Sequence, residues 1–277
     1  MFSTILGPYP HTADLDADAA LRLALEDQLV AEVGLLADGR VLGPGDDALA
    51  CWQTAVARAA ELVAESGRAV PPTKARVIGP YTLGRRADRS FAARRRSTLA
   101  AAEAGNAVLR TLLEAGAPLV QVEEDGLRAI GPEDDAERDL ARTALLRLTD
   151  GVGGHLTLSV AGGDPNGAGP RVLYDAPFSS HYFDLILGPE GWRVARDAPG
   201  ERGLVLGVAD CRTPAADDAG VVAWAASYAA SMRGRGLARV GLAPSAGLEL
   251  LSPEAARAKL ATLARVAAGP LIGEQLR

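Results

Sequence analysis

The sequence predicts an α/β protein, a single (β/α)8 TIM barrel over residues 1–277, and three observations carry that reading. Eight short apolar runs alternate with segments of helical periodicity, the pattern of one parallel sheet with right-handed crossovers. The length is close to the ~250 residues typical of such barrels. Hydrophobic residues make up 48% of the chain, enough for a large core.

In order, Ser3–Leu6 reads as the first strand, and the proline-rich Gly7-Pro8-Tyr9-Pro10-His11-Thr12 as the loop after it. Leu15, Leu21, Leu25 and Leu29 recur about a turn apart and predict a helix over Asp14–Val30. Val33–Leu36 is the second strand, leading into Asp38-Gly39-Arg40; Asp46 or Asp47 caps a helix running to about Ser66. Ala75–Ile78 is the third strand, ending in Gly79-Pro80-Tyr81-Thr82, and Ser90–Glu114 is a long helix stopped by Gly116. Pro118–Val122 is the fourth strand, running into Glu123, Glu124 and Asp125. Glu133–Leu148 follows as a helix with an acidic first turn, which suits the helix dipole. Gly154–Val160, carrying His155, is the fifth strand, and Gly162–Gly169 is a long loop expected to be mobile. Tyr182–Leu187 and Leu204–Val208 are the sixth and seventh strands, the latter ending in Ala209-Asp210-Cys211-Arg212. A helix over Asp217–Arg233 precedes the eighth strand, Ala238–Leu242, and Ser252-Pro253-Glu254 opens a last helix with an N-cap serine and proline at the first position.

Composition excludes several classes. A formal charge of −6 offers no basic stripe for nucleic acid. No stretch approaches a membrane span, and no basic leader precedes the first strand. Cys51 and Cys211 are too few for a disulfide framework and lie in no Cys-x-x-Cys pair, so a reduced, cytoplasmic protein is expected. There is no G-x-G-x-x-G or P-loop pattern, and Arg94-Arg95-Arg96 reads as an exposed helix face.

A parallel strand is apolar because helices cover both its faces, so acids at its carboxyl end point to a site: such barrels build their active sites at the carboxyl ends of the strands. Candidates at that mouth are Tyr9, His11, Arg40, Tyr81, Gln121, Glu123, Glu124, His155, Asp210 and Arg212. Paired carboxylates repel, so one of Glu123 and Glu124 is expected to hold a proton, while histidine titrates near neutrality. These two acids and His155 are the expected acid/base groups. His155 also reads as a structural core histidine, and Arg212 as a partner of Asp210.

Several strand ends together resemble the C-terminal catalytic barrel of cobalamin-independent methionine synthase, within the uroporphyrinogen decarboxylase/methionine synthase-like superfamily. Gly7-Pro8-Tyr9-Pro10 resembles the family's Gly-Ser-Phe-Pro, and Ile78-Gly79-Pro80-Tyr81-Thr82-Leu83 its Gly-Pro-x-Thr segment. Val120-Gln121-Val122-Glu123-Glu124 is similar to its Ile-Gln-Ile-Asp-Glu, and Ala243-Pro244-Ser245-Ala246-Gly247-Leu248 to its Asn-Pro-Asp-Cys-Gly-Leu. Asp38-Gly39-Arg40 and Gly207-Val208-Ala209-Asp210 resemble its second and seventh strand ends. The resemblance implies the same barrel, but with a degenerate metal site. His155 aligns with the first zinc ligand, whereas Thr157 and Ala246 stand where cysteines are expected, and only a displaced Glu190 is near the glutamate position. Zinc takes four N, S or O ligands in tetrahedral array, so no metal is expected. Arg40 replaces the glutamate that would meet a substrate amine, which implies an anionic substrate other than homocysteine. The expectation is a zinc-independent methyl or one-carbon transferase with a methyl-folate or corrinoid donor. A metal-free lyase or decarboxylase of the uroporphyrinogen decarboxylase type and a non-catalytic ligand-binding barrel are the alternatives; no oligomeric state follows.

Overall fold

A computed structural model describes residues 1–10, 15–64 and 68–269. The strands are β1 (Phe2–Ser3), β2 (Ala75–Ile78), β3 (Val120–Glu123), β4 (Leu156–Val160), β5 (Ser180–Asp184), β6 (Gly203–Ala209) and β7 (Val240–Pro244). All pair in parallel in one curled sheet of order β1-β7-β6-β5-β4-β3-β2. The helices are α1 (Ala17–Val30), α2 (Ala48–Ala64), α3 (Pro80–Ala87), α4 (Phe91–Glu114), α5 (Asp135–Thr149), α6 (Gly169–Tyr174), α7 (Gly191–Asp197), α8 (Ala219–Ser231) and α9 (Pro253–Ala268). None among the described residues is long and apolar enough to cross a membrane.

Local chemistry sets the helix starts. Asp16, Ser90, Asp218 and Ser252 each accept an amide N–H from the first turn of the helix they precede, satisfying one of its orphan donors. The segment that ends the strand, Gly79-Pro80-Tyr81-Thr82, opens α3, because proline at the first helical position needs no N–H partner. The long loop after β4 is ordered by a 3₁₀ turn, Asn166–Ala168, and by α6, with Ala168 buried.

The expected second strand, Val33–Leu36, is reduced to two isolated parallel bridges between the sheet's edges, Thr4↔Leu35 and Leu36↔Thr73. The reason lies in α1. The wholly buried Gln28 donates to the carbonyl of Ala37 (2.8 Å) and accepts that residue's N–H (2.9 Å), taking both backbone groups that would extend the ladder. β5 also begins two residues earlier than expected, and Leu185 to Leu187 turn away from it.

Strand residues alternate between two cores. Val120, Val122, Leu156 and Leu158 pack with Leu109, Leu112 and Leu145 in the large layer beneath the helices. Leu6, Tyr182, Val205 and Ala243 form a small cluster with Phe2 and Ala161 inside the curl. Lys259 of α9, also buried, donates to Asp217 (3.0 Å) and to the carbonyl of Ala215 (2.8 Å).

Candidate functional site

At the carboxyl ends of β2 and β3, alternate positions carry polar side chains that the sheet turns inward. Arg76 donates from Nη1 to Asp38 (2.6 Å) and from Nε to Glu123 (2.8 Å), and Arg40 donates to the other oxygen of Asp38 (3.0 Å). Gln121 donates to the same Glu123 oxygen (2.9 Å) and accepts from Lys74 (2.7 Å), which also donates to the carbonyl of Ile5 (2.7 Å). Burial alone would raise the Asp38 carboxyl, but Arg76 and Arg40 outweigh it and hold the group below its usual range. Burial pushes the Lys74 ammonium down to about 7. Each guanidinium of this network faces at least one carboxylate, so the network is internally compensated rather than an open cationic pocket.

The three acids at the end of β3 differ in environment. Glu123 keeps a partly exposed edge beside Arg76. Glu124 is fully buried: it accepts the amides of Tyr81 (2.9 Å) and Thr82 (2.8 Å) and the Thr82 hydroxyl (2.7 Å) at the start of α3. A Cβ on Gly79 would come within 2.1 Å of the Glu124 carboxyl carbon, so that position requires glycine. Burial pushes the Glu124 carboxyl up to about 7 against those three donors. Asp125 accepts the amide of Ala161 (2.8 Å); burial, with the charge of Glu123 adding, pushes its carboxyl up to about 6.

Two further groups complete the mouth, neither expected from the sequence. Asp184, at the end of β5, is wholly buried; its Oδ1 accepts the amides of Ile186 (2.9 Å) and Leu187 (2.8 Å), whereas Oδ2 has no hydrogen-bond partner. Burial raises its carboxyl pKa. Ser159, whose strand position pairs with Glu123 on one side and Tyr182 on the other, is buried with its hydroxyl also unpartnered. The signals were present: Lys74 and Arg76 two apart in an apolar strand, and a lone acid closing the run His181-Tyr182-Phe183.

His155 corrects the expectation. It precedes β4 and so sits at the amino end of the sheet, whereas Glu123 lies at the carboxyl end. From His155 to Ser159, the partner of Glu123, the strand rises ~13 Å. His155 Nε2 hydrogen-bonds the Ser180 hydroxyl (2.9 Å), which in turn meets Thr157 (2.7 Å). His155 lines a separate cavity of about 470 Å³ with Phe2, Leu119, Val205 and Arg239. Burial lowers its pKa.

The remaining candidates divide. Tyr9 is buried and donates to Asp27 (2.9 Å), towards α1; Tyr81 donates to Glu137 (2.8 Å), in the helical layer. Arg212 forks onto both oxygens of Asp210 (2.9 and 2.8 Å), whose carboxyl it holds down at about 2, so the pairing reading is the one observed. Cys211 is buried, its amide donating to Ser245. His11 lies outside the described residues.

Thr157 lies inside the strand rather than at its end, Ala246 offers no ligand atom, and Glu190 is partly exposed and paired with Arg193 (3.0 Å). Among the described residues no three His, Cys, Asp or Glu side chains converge as a metal site, against the four-donor array zinc takes.

No family model matches this chain, and no curated protein does. Solved structures do. A B12-independent methionine synthase from Shewanella sp., solved with selenomethionine, superposes with a TM-score of 0.76 at 16% identity, covering 96% of each chain. A putative vitamin-B12-independent methionine synthase from Listeria monocytogenes gives 0.68 at 13% identity, again over 96% of each. A methyltransferase from Methanosarcina mazei gives 0.53 at 18% identity, over 92% of this chain and 69% of that one. At such identities it is the fold that is shared: the chain has the α/β architecture of these methionine-synthase-like barrels.

Proposed function

We propose that this chain is a methionine-synthase-like enzyme that transfers a methyl or other one-carbon group at the carboxyl mouth of its sheet, without zinc. We read residues 1–277 as one (β/α)8 barrel whose second strand is pared to the two bridges at Leu35 and Leu36. The observation that carries the functional reading is the set of acids held in different states at the carboxyl ends of β3 and β5. Glu123 is locked into ion pairing with Arg76, Asp125 titrates at about 6, and Asp184 keeps one buried oxygen unpartnered. Environments that push neighbouring titratable groups apart are how one site supplies both a charged and a proton-exchanging carboxyl. Asp125 is assigned the proton transfer, Asp184 a hydrogen bond to the bound substrate, and Glu123 with Arg76 the positioning of the mouth. Glu124 holds α3 in place.

The methyl donor is assigned to the folate or corrinoid class, as the resemblance implies. An anionic acceptor would have to meet Arg40, whose side chain is 29% exposed and whose Nη2 lies 3.9 Å from Asp46. Arg212 is already spent on Asp210. The anionic-substrate reading therefore rests on Arg40, with Asp46 as the competing carboxylate.

The test follows a ¹³C-labelled methyl group by NMR, from methyl-folate or a methyl-corrinoid to candidate thiol, amine and carboxylate acceptors. Transfer to any of them, lost in Asp125→Asn, supports the proposal. Neither donor binding below ~1 mM would sink the proposal, and turnover of a carboxylated compound with no methyl donor would replace it with the lyase reading.

A further inference from the structure

Helix α8 has the composition of a buried helix and the position of a surface one. Its thirteen residues, AGVVAWAASYAAS, include no charge. One side, with Val222, Ala225, Ala226 and Ala229, is buried within the fold. The other shows Val221, Trp224 and Tyr228, which are 63%, 56% and 41% exposed. The rings of Trp224 and Tyr228, one turn apart, stack at 5.5 Å with 5° between their planes. Trp192 of α7 closes on both edge-on, at 6.0 and 5.5 Å. The two serine hydroxyls bond to the helix's own backbone: Ser227 donates to the carbonyl of Ala223 (2.9 Å) and Ser231 to that of Tyr228 (2.7 Å). What α8 presents is therefore an uncharged aromatic shelf, with the phenol of Tyr228 as its polar tip. An ordinary surface helix carries charged residues opposite its core face. Depletion of charge together with Trp and Tyr is the composition of an interface centre.

We infer that α8 is the centre of a two-fold interface with a second copy of this chain. Charge favours that occupant. In an isologous contact each residue of the patch faces a residue of the same patch, so a charge on the stripe would be set against its own kind or against an apolar ring. The stripe has none. Around it both signs are present and already near one another, in Arg193–Glu190 (3.0 Å), Arg196–Asp197 (3.6 Å) and Arg233–Asp197 (4.0 Å). Such a rim is complementary to itself. It lacks the basic excess that a nucleic acid or an anionic membrane would select. Trp224 and Tyr228 stand four positions apart, so an antiparallel crossing of two α8 helices sets each Trp224 on the second copy's Tyr228. Trp and Tyr are the residues that most often dominate such contacts.

Sedimentation velocity of the full chain over ~1–100 µM tests this. The expected mass rises from 28.6 kDa towards twice that value. Trp224→Glu and Tyr228→Lys should each weaken self-association at least ~10-fold while leaving the circular dichroism of the chain unchanged, because both positions are exposed. Mixing the two variants sets the introduced carboxylate across from the introduced ammonium in one contact and restores Trp224 on Tyr228 in the other. The mixture should therefore associate more tightly than either variant alone. A wild-type chain that stays monomeric throughout overturns the inference, as does a dimer that both variants leave intact. Variants that dissociate but are not rescued by mixing overturn the antiparallel arrangement.

Discussion

Asp125 is the residue through which the proposed chemistry stands or falls. Asp125→Asn keeps the shape and the oxygen that accepts the Ala161 amide but cannot exchange a proton. General acid–base groups contribute ~10²–10⁴-fold, so a loss of about a hundredfold in turnover is expected, with the limb of the pH–rate profile near 6 disappearing. An unchanged profile would remove Asp125 from the mechanism. Glu124 predicts a different pH effect, on stability. Its folded carboxyl and that of Asp125 titrate above their ordinary values, at about 7 and about 6. The folded state therefore binds more protons, and the stabilisation is fully present below about pH 4 and lost as pH rises to about 7. Urea unfolding should show the wild type less stable at pH 7.5 than at pH 5 once other groups are controlled, by up to ~3 kcal/mol from Glu124. Glu124→Gln should flatten that slope; a slope that survives would assign it elsewhere. At this scale the sequence was half legible. The acids closing β3 were visible as acids against an apolar run, but their division of labour depends on burial, and Asp184, legible as a lone acid closing a run, owes its unpartnered oxygen to burial as well. His155 stands at the head of its apolar run, and that position sets it at the amino end of the sheet, away from the acids.

At the scale of elements, the segment after Val33 shows what periodicity conveys and what it omits. The apolar run marked a strand, and its two bridges are there. What stops the ladder is one glutamine on α1, and a polar residue inside a helical stretch does not announce that it will bind a backbone nine positions on. Replacing Gln28 with Leu would leave the N–H and C=O of Ala37 buried without partners, at a cost of about 3 kcal/mol. Urea unfolding measures that cost, and faster amide exchange at Leu35 and Leu36 should accompany it; a loss under ~1 kcal/mol would mean that the neighbouring backbone takes up the slack. Gly79→Ala belongs here too. The added methyl meets the Glu124 carboxyl and must displace either it or α3, so the variant should lower the melting temperature and disturb the mouth together. β2, by contrast, was readable to the residue, because Ala75–Ile78 is bounded by prolines before it and Gly79-Pro80 after it.

Across the whole molecule, the alternation of strand and helix sufficed to identify the α/β class and one parallel sheet, because each β/α unit leaves the same trace; the sheet is curled and has seven strands among the described residues. The donors at the mouth bear on the metal question at this scale. Zinc has no convergent ligand set among the described residues, so protein purified without chelator should carry less than ~0.1 equivalent of transition metal, and adding chelator should leave the melting temperature unchanged. A full equivalent of zinc, or a fall in melting temperature on chelation, would show that the ligand assignment is mistaken. The burial of Lys74 and Lys259 has a practical consequence of its own. They are the only two lysines of the chain, and both are almost completely shielded from solvent, one in the interior of the curled sheet and the other clasped by Asp217. The folded protein thus offers amine-directed reagents little beyond its amino-terminal group. Acylating tags and amine cross-linkers should leave its lysines unmodified until the chain opens, so lysine labelling would report unfolding, and any covalent trapping of an assembly would have to go through carboxylates or an introduced thiol.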